Sequence, residues 1–351
     1  MKTPTLHRVL VALITVLTTL SMGAQRPFQE AFKKNVRPAV ERLRLEFGDN
    51  QGNRSHLPVV IIKGLKEGPV FTVVAGVHGF EYPPIVATQA LLQEIDPNAL
   101  TGTIVVLPVA STNSFYTRTP FKNSNDGVNL NNAFPGDAKG SVTQKIAHMI
   151  RTEIIPVSDV FLDIHGGDAN EDLLPFICYY NNEQKPEQTQ LAKELSEVSG
   201  FEYIVSYAYT LKDSDPAKYV FKQATQDGKT ALSIESGKLG NVQQEAVDLV
   251  KNGVYNMLHK MGMYAKATEA KDNPVRLNRQ TYISSSHEGI FYSDYKAGDT
   301  VQEGAVVGKV TDEFGAELSE IKAPKSGVIL YKIGTPPVSV DDTIMCISYY
   351  E

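Results

Sequence analysis

Four residues with ionisable side chains follow short apolar, β-branched runs that are typical of buried strands. His78 and Glu81 lie three residues apart after the first run, His165 ends the second, and Glu235 follows the third. Imidazole nitrogens and carboxylate oxygens are zinc ligands, and a catalytic zinc commonly has three protein ligands and one open position. His78, Glu81 and His165 therefore form a candidate site for one Zn²⁺ per chain. Their spacing alone equally allows hydrogen-bonded structural roles.

The elements that must position these residues alternate between strands and helices. The apolar runs that predict strands are Val59–Ile62, Val70–Ala75, Ile104–Val109, Val160–Ile164 and Ala231–Ile234. The stretches with helical periodicity are Pro84–Ile95, Ser141–Ile154, Gln188–Val198 and Val242–His259. This alternation predicts an α/β fold with a mixed, largely parallel sheet flanked by helices. Sites in such folds lie at the carboxyl ends of strands, where the candidate ligands are.

The segments on either side of these alternating strands and helices have different sequence patterns. Residues 25–55 predict an N-terminal helical extension, with a charged amphipathic helix around Phe32–Phe47. Residues 56–272 carry the α/β pattern and form the predicted catalytic domain. From residue 273 to 351, short strands are separated by Gly and Pro turns, which predicts a small all-β module of the barrel-sandwich type.

The first 24 residues have the layout of a secretory signal peptide. Lys2 and Arg8 precede an apolar run of twelve residues, Val9–Leu20, and small residues follow it. The run is shorter than the roughly 20 residues that span a bilayer. We expect cleavage near residue 24, although an uncleaved N-terminal anchor is the alternative. The mature chain would then be exported to the periplasm or secreted, without a stable membrane anchor.

Composition excludes several classes of protein. The 351 residues are 42% hydrophobic and 21% charged, as in globular proteins, which excludes a disordered or multi-span membrane protein. The net charge of −6, or −8 without Lys2 and Arg8, argues against a nucleic-acid partner. Cys178 and Cys346 lack metal-ligand spacing; we expect two buried free thiols, with a disulfide as the alternative.

Five segments, in order, resemble the succinylglutamate desuccinylase/aspartoacylase family. They are GVHGFEY at 76–82, Arg118, DGVNLNNAFPG at 126–136, DIHGG at 163–167 and IESG at 234–237. The resemblance runs from about Leu57 to the C-terminus. Members of this family are zinc amidohydrolases related to zinc carboxypeptidases of the carboxypeptidase A type. The resemblance therefore implies a zinc carboxypeptidase-like fold and a zinc cofactor.

The resemblance also implies a role for each residue. His78, Glu81 and His165 would bind zinc. Glu235 would be the general base that activates the attacking water and then delivers the proton to the leaving amine. Arg118 would stabilise the oxyanion, and Asn131 would orient the substrate. Asp163, two residues before His165, is a candidate to hold a zinc ligand, or else a turn-forming residue.

One position departs from the family pattern. The family motif has Asn-Arg before x-Phe-Pro-Gly, and that Arg binds the substrate carboxylate, whereas this chain has Asn131-Asn132. A neutral amide removes about 1.5–3 kcal/mol of charge-assisted recognition. Either another cation, with Lys122 nearest in sequence, takes this role at the substrate-binding pair, or the substrate has no carboxylate there.

The C-terminal module also resembles biotinyl/lipoyl-type hammerhead domains. The motifs are Gly289-Ile290-Phe291, 296–299 and 323–328. The modified lysine of those domains would fall near Ala316–Leu318, where this chain has none. We therefore expect the module to form a rim of the active-site cleft and to carry no prosthetic group.

Three functions remain open from the sequence. The first is an exported zinc hydrolase that cleaves an amide bond in a small N-acyl amino acid or peptide-like substrate. The second is a metallocarboxypeptidase that trims envelope peptides with the same site. The third is a non-catalytic protein that binds a ligand in a zinc pocket, which the presence of Glu235 and Arg118 disfavours. The sequence indicates a small-molecule or short-peptide partner and leaves the oligomeric state undetermined.

Overall fold

A computed structural model of the chain describes residues 25–268 and 273–351. The predicted signal peptide, residues 1–24, lies outside the described residues. The helices are α1 (Gln25–Lys33), α2 (Tyr82–Glu94), α3 (Thr112–Thr117), α4 (Val142–Met149), α5 (Pro186–Val198), α6 (Val220–Gln226) and α7 (Gln244–Lys260). A π-helical turn, Ile150–Ile154, continues α4.

A nine-stranded mixed sheet forms the centre of the fold. Its strands are β1 (Ala39–Gly48), β2 (Arg54–Lys63), β3 (Lys66–Ala75), β4 (Thr101–Leu107), β5 (Val160–His165), β7 (Phe176–Asn181), β8 (Tyr203–Ala208), β9 (Thr230–Glu235) and β10 (Val275–Leu277), with the short β6 (Glu171–Leu173) outside it. The order is β1-β2-β4-β3-β5-β9-β7-β8-β10. Strands β4, β3, β5 and β9 are parallel neighbours, whereas β7 is antiparallel to β9. The predicted fold class is confirmed.

Two apolar cores cover the two faces of this sheet. Helices α2, α5 and α7 bury their apolar sides on one face. Helices α1, α4 and α6 pack on the other face, together with part of the C-terminal module. Because parallel strands are buried on both faces, their sequences are continuous apolar runs, which explains why the sequence located them.

The helix predicted around Phe32–Phe47 is wrong. Helix α1 ends at Lys33, and residues 39–48 form β1, which pairs antiparallel with β2 from Ala39 opposite Lys63 to Gly48 opposite Arg54. Leu43, Leu45 and Phe47 alternate with charged residues, and this period of two fits a strand. Pairing along the whole length of β2 decides the conformation.

The C-terminal module contains two small antiparallel sheets. Its strands are β11 (Arg279–Ser284), β12 (Gly289–Tyr292), β13 (Thr300–Val301), β14 (Val306–Thr311), β15 (Glu317–Lys322), β16 (Gly327–Ile333), β17 (Pro337–Val338) and β18 (Thr343–Tyr349). The sheet orders are β11-β18-β16-β13 and β15-β14-β12-β17. Strand β10 belongs to the large sheet, so the module's own strands begin with β11.

The module is joined to the catalytic domain by hydrogen-bonded strands. Strand β6 pairs antiparallel with β16, with Leu173 opposite Tyr331. Val328 and Cys346 of the module also belong to the apolar core beneath the large sheet. Both cysteines are free and buried, as expected. Within residues 25–268 and 273–351, none of the helices has the length and apolarity needed to cross a membrane.

Candidate active site

Three neighbouring parallel strands bring the candidate catalytic residues to one edge of the large sheet. Strand β3 leads into the turn that holds His78 and Glu81, β5 ends at His165, and β9 ends at Glu235. His165 pairs directly with Glu235 in the ladder between β5 and β9. The predicted convergence of these residues is therefore observed.

The three predicted metal ligands form a compact and nearly buried group. His78 Nδ1 lies 2.7 Å from Glu81 Oε1, and His165 Nδ1 lies 3.0 Å from Glu81 Oε2. One ligand atom from each of the three residues lies within 4.8 Å of the others. Two imidazoles and a carboxylate are a typical donor set for catalytic zinc. The residues present therefore fit a zinc ion.

The outer nitrogen of each histidine has its own partner. His78 Nε2 lies 3.1 Å from Asn129 Oδ1, and His165 Nε2 lies 3.0 Å from Asp163 Oδ2. If each Nε2 donates its hydrogen to these oxygens, both Nδ1 atoms remain free to bind a metal. Asp163 is fully buried and contacts His165, which is the arrangement expected of a residue that holds a candidate ligand; this role stays a prediction.

Burial and charge shift the pKa values of these groups in opposite directions. Burial alone would raise the pKa of Glu81, but the charges of His165 and His78 outweigh it and lower the pKa to about 2. Burial opposes protonation of His165, yet Asp163 and Glu81 raise its pKa well above the ordinary value. Burial raises the pKa of Glu235 well above its ordinary range, although the charge of His165 opposes this. A carboxyl group that readily holds a proton suits proton transfer.

The predicted substrate-contacting residues lie in the two loops over this edge. Asn131 lies in a 3₁₀ turn, Leu130–Asn132, and its Nδ2 is 3.4 Å from His165 Nε2. Asn132 is exposed. Arg118 follows α3 in a left-handed conformation with φ 53° and is also exposed. Burial raises the pKa of Tyr82, the residue after Glu81, and the charge of Arg118 opposes this shift.

Two buried oxygens at the site have no hydrogen-bond partner among the described residues. They are Asn131 Oδ1 and Asp163 Oδ1. Buried polar atoms are nearly always paired in native proteins, so an unpaired one calls for a ligand or water. These two oxygens are therefore candidate contacts for a ligand or water.

Two polar residues near the candidate ligands, Asn129 and Asp168, are not among the predicted site residues. Asn129 accepts a hydrogen bond from the Asn131 backbone at 2.8 Å besides contacting His78, so it fixes the turn and a ligand together. Asp168 is fully buried and accepts a hydrogen bond from the Phe121 backbone at 3.1 Å. In the sequence, the Asn-rich run around Asn129 and the two glycines before Asp168 are the features that could have pointed to these two residues.

The C-terminal module adjoins the segments that follow His165 and Glu235. Asp172 Oδ1 lies 3.1 Å from Lys238 Nζ, and Asp172 Oδ2 accepts a hydrogen bond from Ala297 N at 3.1 Å. One carboxylate thus links the module to the loop after Glu235. This contact agrees with a rim role for the module, which stays a prediction.

Comparisons with known proteins agree with this geometry. A family model described as the succinylglutamate desuccinylase/aspartoacylase catalytic domain matches residues 67–261. An N-alpha-acetyl-L-2,4-diaminobutyric acid deacetylase from Halomonas elongata is 30% identical over 299 residues, which cover 83% of this chain and 85% of that protein. The chain belongs to the succinylglutamate desuccinylase/aspartoacylase family.

Solved structures of family members share the fold. A succinylglutamate desuccinylase/aspartoacylase from Rhodobacter sphaeroides superposes with a TM-score of 0.80 at 20% identity and covers 89% of this chain and 95% of that chain. The product-bound ectoine utilization protein EutE (DoeB) from Ruegeria pomeroyi gives 0.79 at 23% identity, with coverages of 89% and 96%. Membership in this family, together with a deacetylase relative, supports a hydrolase.

Proposed function

We propose that this protein is a zinc-dependent hydrolase that removes a short acyl group from the amino group of a small amino acid. The observation that carries the proposal is the convergence of His78, Glu81 and His165 at one sheet edge, with Glu235 paired beside His165. The deacetylase activity named for the Halomonas elongata relative favours an acetylated amino acid over a peptide substrate.

In the proposed amide hydrolysis, each site residue has a separate role. A zinc ion held by His78, Glu81 and His165 would supply a Lewis acid that polarises the scissile carbonyl and lowers the pKa of water. Glu235 takes the proton of the attacking water and passes it to the leaving amine. Arg118 stabilises the negative charge that develops on the carbonyl oxygen. Asn131 orients the substrate with its side-chain amide.

In this chain a lysine could take over the role of the arginine in the family motif, which binds the substrate carboxylate. Lys218 pairs with Phe134 through two backbone hydrogen bonds of 3.2 and 3.3 Å, so its backbone lies beside the segment that contains Asn132. Lys218 is exposed, whereas Lys222, four residues later, lies over the rings of Tyr180 and Tyr219. We propose Lys218 as the cation that binds a free carboxylate of the substrate, because its backbone pairs with Phe134, two residues after Asn132. Lys122, which pairs with Asn129, is the other cation beside the motif.

The proposed setting of the reaction is outside the cytoplasm. The proposal rests on residues 1–24 alone, whose charged start, apolar run and small residues are typical of a signal peptide. N-terminal sequencing of the protein from fractionated cells of its source tests it. A mature chain that begins near Gln25 supports export, and full-length protein in the soluble cytoplasmic fraction contradicts it.

A metal analysis and a substrate panel test the proposed reaction. Purified protein is assayed for zinc by mass spectrometry and for hydrolysis of acetylated and succinylated amino acids and C-terminal dipeptides. We expect about one zinc per chain and release of acetate from acetylated amino acids. Release of the C-terminal amino acid from peptides alone would instead support a metallocarboxypeptidase. Zinc binding without any turnover would support a binding protein.

A further inference from the structure

Phe121 has an unusual backbone conformation beside a metal ligand. Its φ is 57°, in the left-handed region that bulky residues rarely adopt. Its ring meets the His78 ring edge to face, with centroids 5.5 Å apart and an interplanar angle of 80°. An aromatic side chain held in such a conformation at a site is a sign of function, because the surroundings must maintain it.

A buried carboxylate maintains this conformation. Asp168 Oδ2 accepts a hydrogen bond from Phe121 N at 3.1 Å, and Asp168 Oδ1 accepts one from Ala169 N at 2.6 Å. The Asp168 side chain is fully buried. The next residue continues the tight turn, since Lys122 N donates to Pro120 O at 2.6 Å. Asp168 thus fixes the loop between Arg118 and Asn129 from beneath.

The positions of the catalytic groups assign a side of the site to each half of the substrate. Glu235 must reach the leaving amine to protonate it, so the amine half lies on the β9 side, next to His165. The acyl half extends from the carbonyl carbon in the opposite direction. That direction is the His78 side, where the Phe121 ring stands.

We propose that Phe121 forms the wall of the acyl subsite and limits the substrate to short acyl groups, with Asp168 as its positioning residue. The proposal rests on the proposed function, which sets the direction of the bound amide. It adds a specificity determinant: we expect a chain of several methylene groups to meet the ring beside His78, and the shorter acetyl group to avoid it. Removal of the ring therefore opens the subsite to longer acyl chains.

The test uses Phe121→Gly, because glycine accepts a positive φ and the variant is expected to fold. Phe121→Ala is the second variant, and Phe314→Ala, which removes a ring that is 90% exposed on the module, is the matched control. Each protein is loaded with Co²⁺ and titrated with acetohydroxamate and hexanohydroxamate, with binding followed by the cobalt absorption bands. The same proteins are assayed with N-acetyl and N-hexanoyl amino acids.

We expect wild type and Phe314→Ala to bind acetohydroxamate at least about tenfold more tightly than hexanohydroxamate, since a pocket rejects oversized groups sterically. Phe121→Gly and Phe121→Ala should reduce this ratio to about threefold or less, and Asp168→Asn should shift it in the same direction. An unchanged ratio in both Phe121 variants overturns the proposal. Altered hydroxamate selectivity in a protein that hydrolyses no acyl amino acid would support the subsite and contradict the proposed function. Failure of wild type to bind Co²⁺ would contradict both.

Discussion

Glu235 is the direct partner of His165 in the last residue pair of the parallel ladder between β5 and β9. Adjacent strands in a sheet are about 4.8 Å apart, so the backbone itself holds the proposed base next to a candidate metal ligand. No flexible loop has to close to bring the two residues together. The sheet therefore fixes the position of the proposed base relative to the candidate metal site.

Replacement of Glu235 by Gln should abolish turnover without loss of the metal. The amide keeps the size of the carboxylate but cannot accept the proton of water, so we expect kcat to fall about 10²–10⁴-fold. Rates with an N-acetyl amino acid and zinc content are the measurements. Glu245→Gln, at an exposed position in the first turn of α7, is the control. A Glu235→Gln enzyme with wild-type kcat would refute the assigned role.

Removal of one imidazole should empty the metal site. His165→Ala leaves two ligands, and we expect zinc content to fall from about one per chain to well below half after dialysis against a chelator. Zinc measured by mass spectrometry gives the stoichiometry. His287→Ala, on the exposed surface of the module, should retain the metal. Equal zinc content in the two variants would mean that the metal binds elsewhere.

Loss of the charge on Asp163 should weaken metal binding while leaving the ligands in place. Asp163 Oδ2 lies 3.0 Å from His165 Nε2, and substitution of such a supporting group typically costs 10–100-fold in metal affinity or activity. Asp163→Asn is compared with wild type in a zinc competition titration with a chromophoric chelator. Asp159→Asn, at the residue immediately before β5, serves as the comparison. Affinity within twofold of wild type would leave Asp163 with only a structural role.

The proposed carboxylate partner can be tested by moving the positive charge. Lys218→Met should raise KM for a carboxylate-bearing N-acetyl amino acid about tenfold, in line with the strength of a charge-assisted hydrogen bond. The KM for the corresponding C-terminal amide should not change. Addition of Asn132→Arg to this variant should restore the low KM. Lys193→Met, on the exposed side of α5, controls for loss of surface charge.

A buried lysine joins the N-terminal helix to the sheet. Lys63 on β2 is only 3% exposed and donates hydrogen bonds to the backbone oxygens of Ala31, at 2.9 Å, and Lys34. Lys63→Met leaves these oxygens unpaired, so we expect the free energy of unfolding to fall by about 1.5–3 kcal/mol. Urea denaturation measures it, with the exposed Lys66→Met as control. Turnover should stay close to wild type because the lysine is remote from the proposed ligands.

The sequence located the strand ends that carry His78, His165 and Glu235, because buried parallel strands are continuous apolar runs. The prediction of a helix over β1 is wrong, because the short period-two pattern among its charged residues fits a strand. It also gave no sign of Phe121, since a positive φ on a phenylalanine depends on a hydrogen bond to a residue 47 positions away. Local patterns predict elements, whereas such long-range contacts appear only in the fold.

The pairing of β6 with β16 has a consequence for how the protein could be divided. A strand taken from between β5 and β7 completes a sheet of the C-terminal module, and both parts contribute to one apolar core. Truncation after β10 would leave the edge of β6 open and strip that core of Val328, Leu330 and Cys346. We therefore expect the chain to unfold as a single cooperative unit, and exchange of the module between relatives to require matched changes on both sides of the β6–β16 pairing.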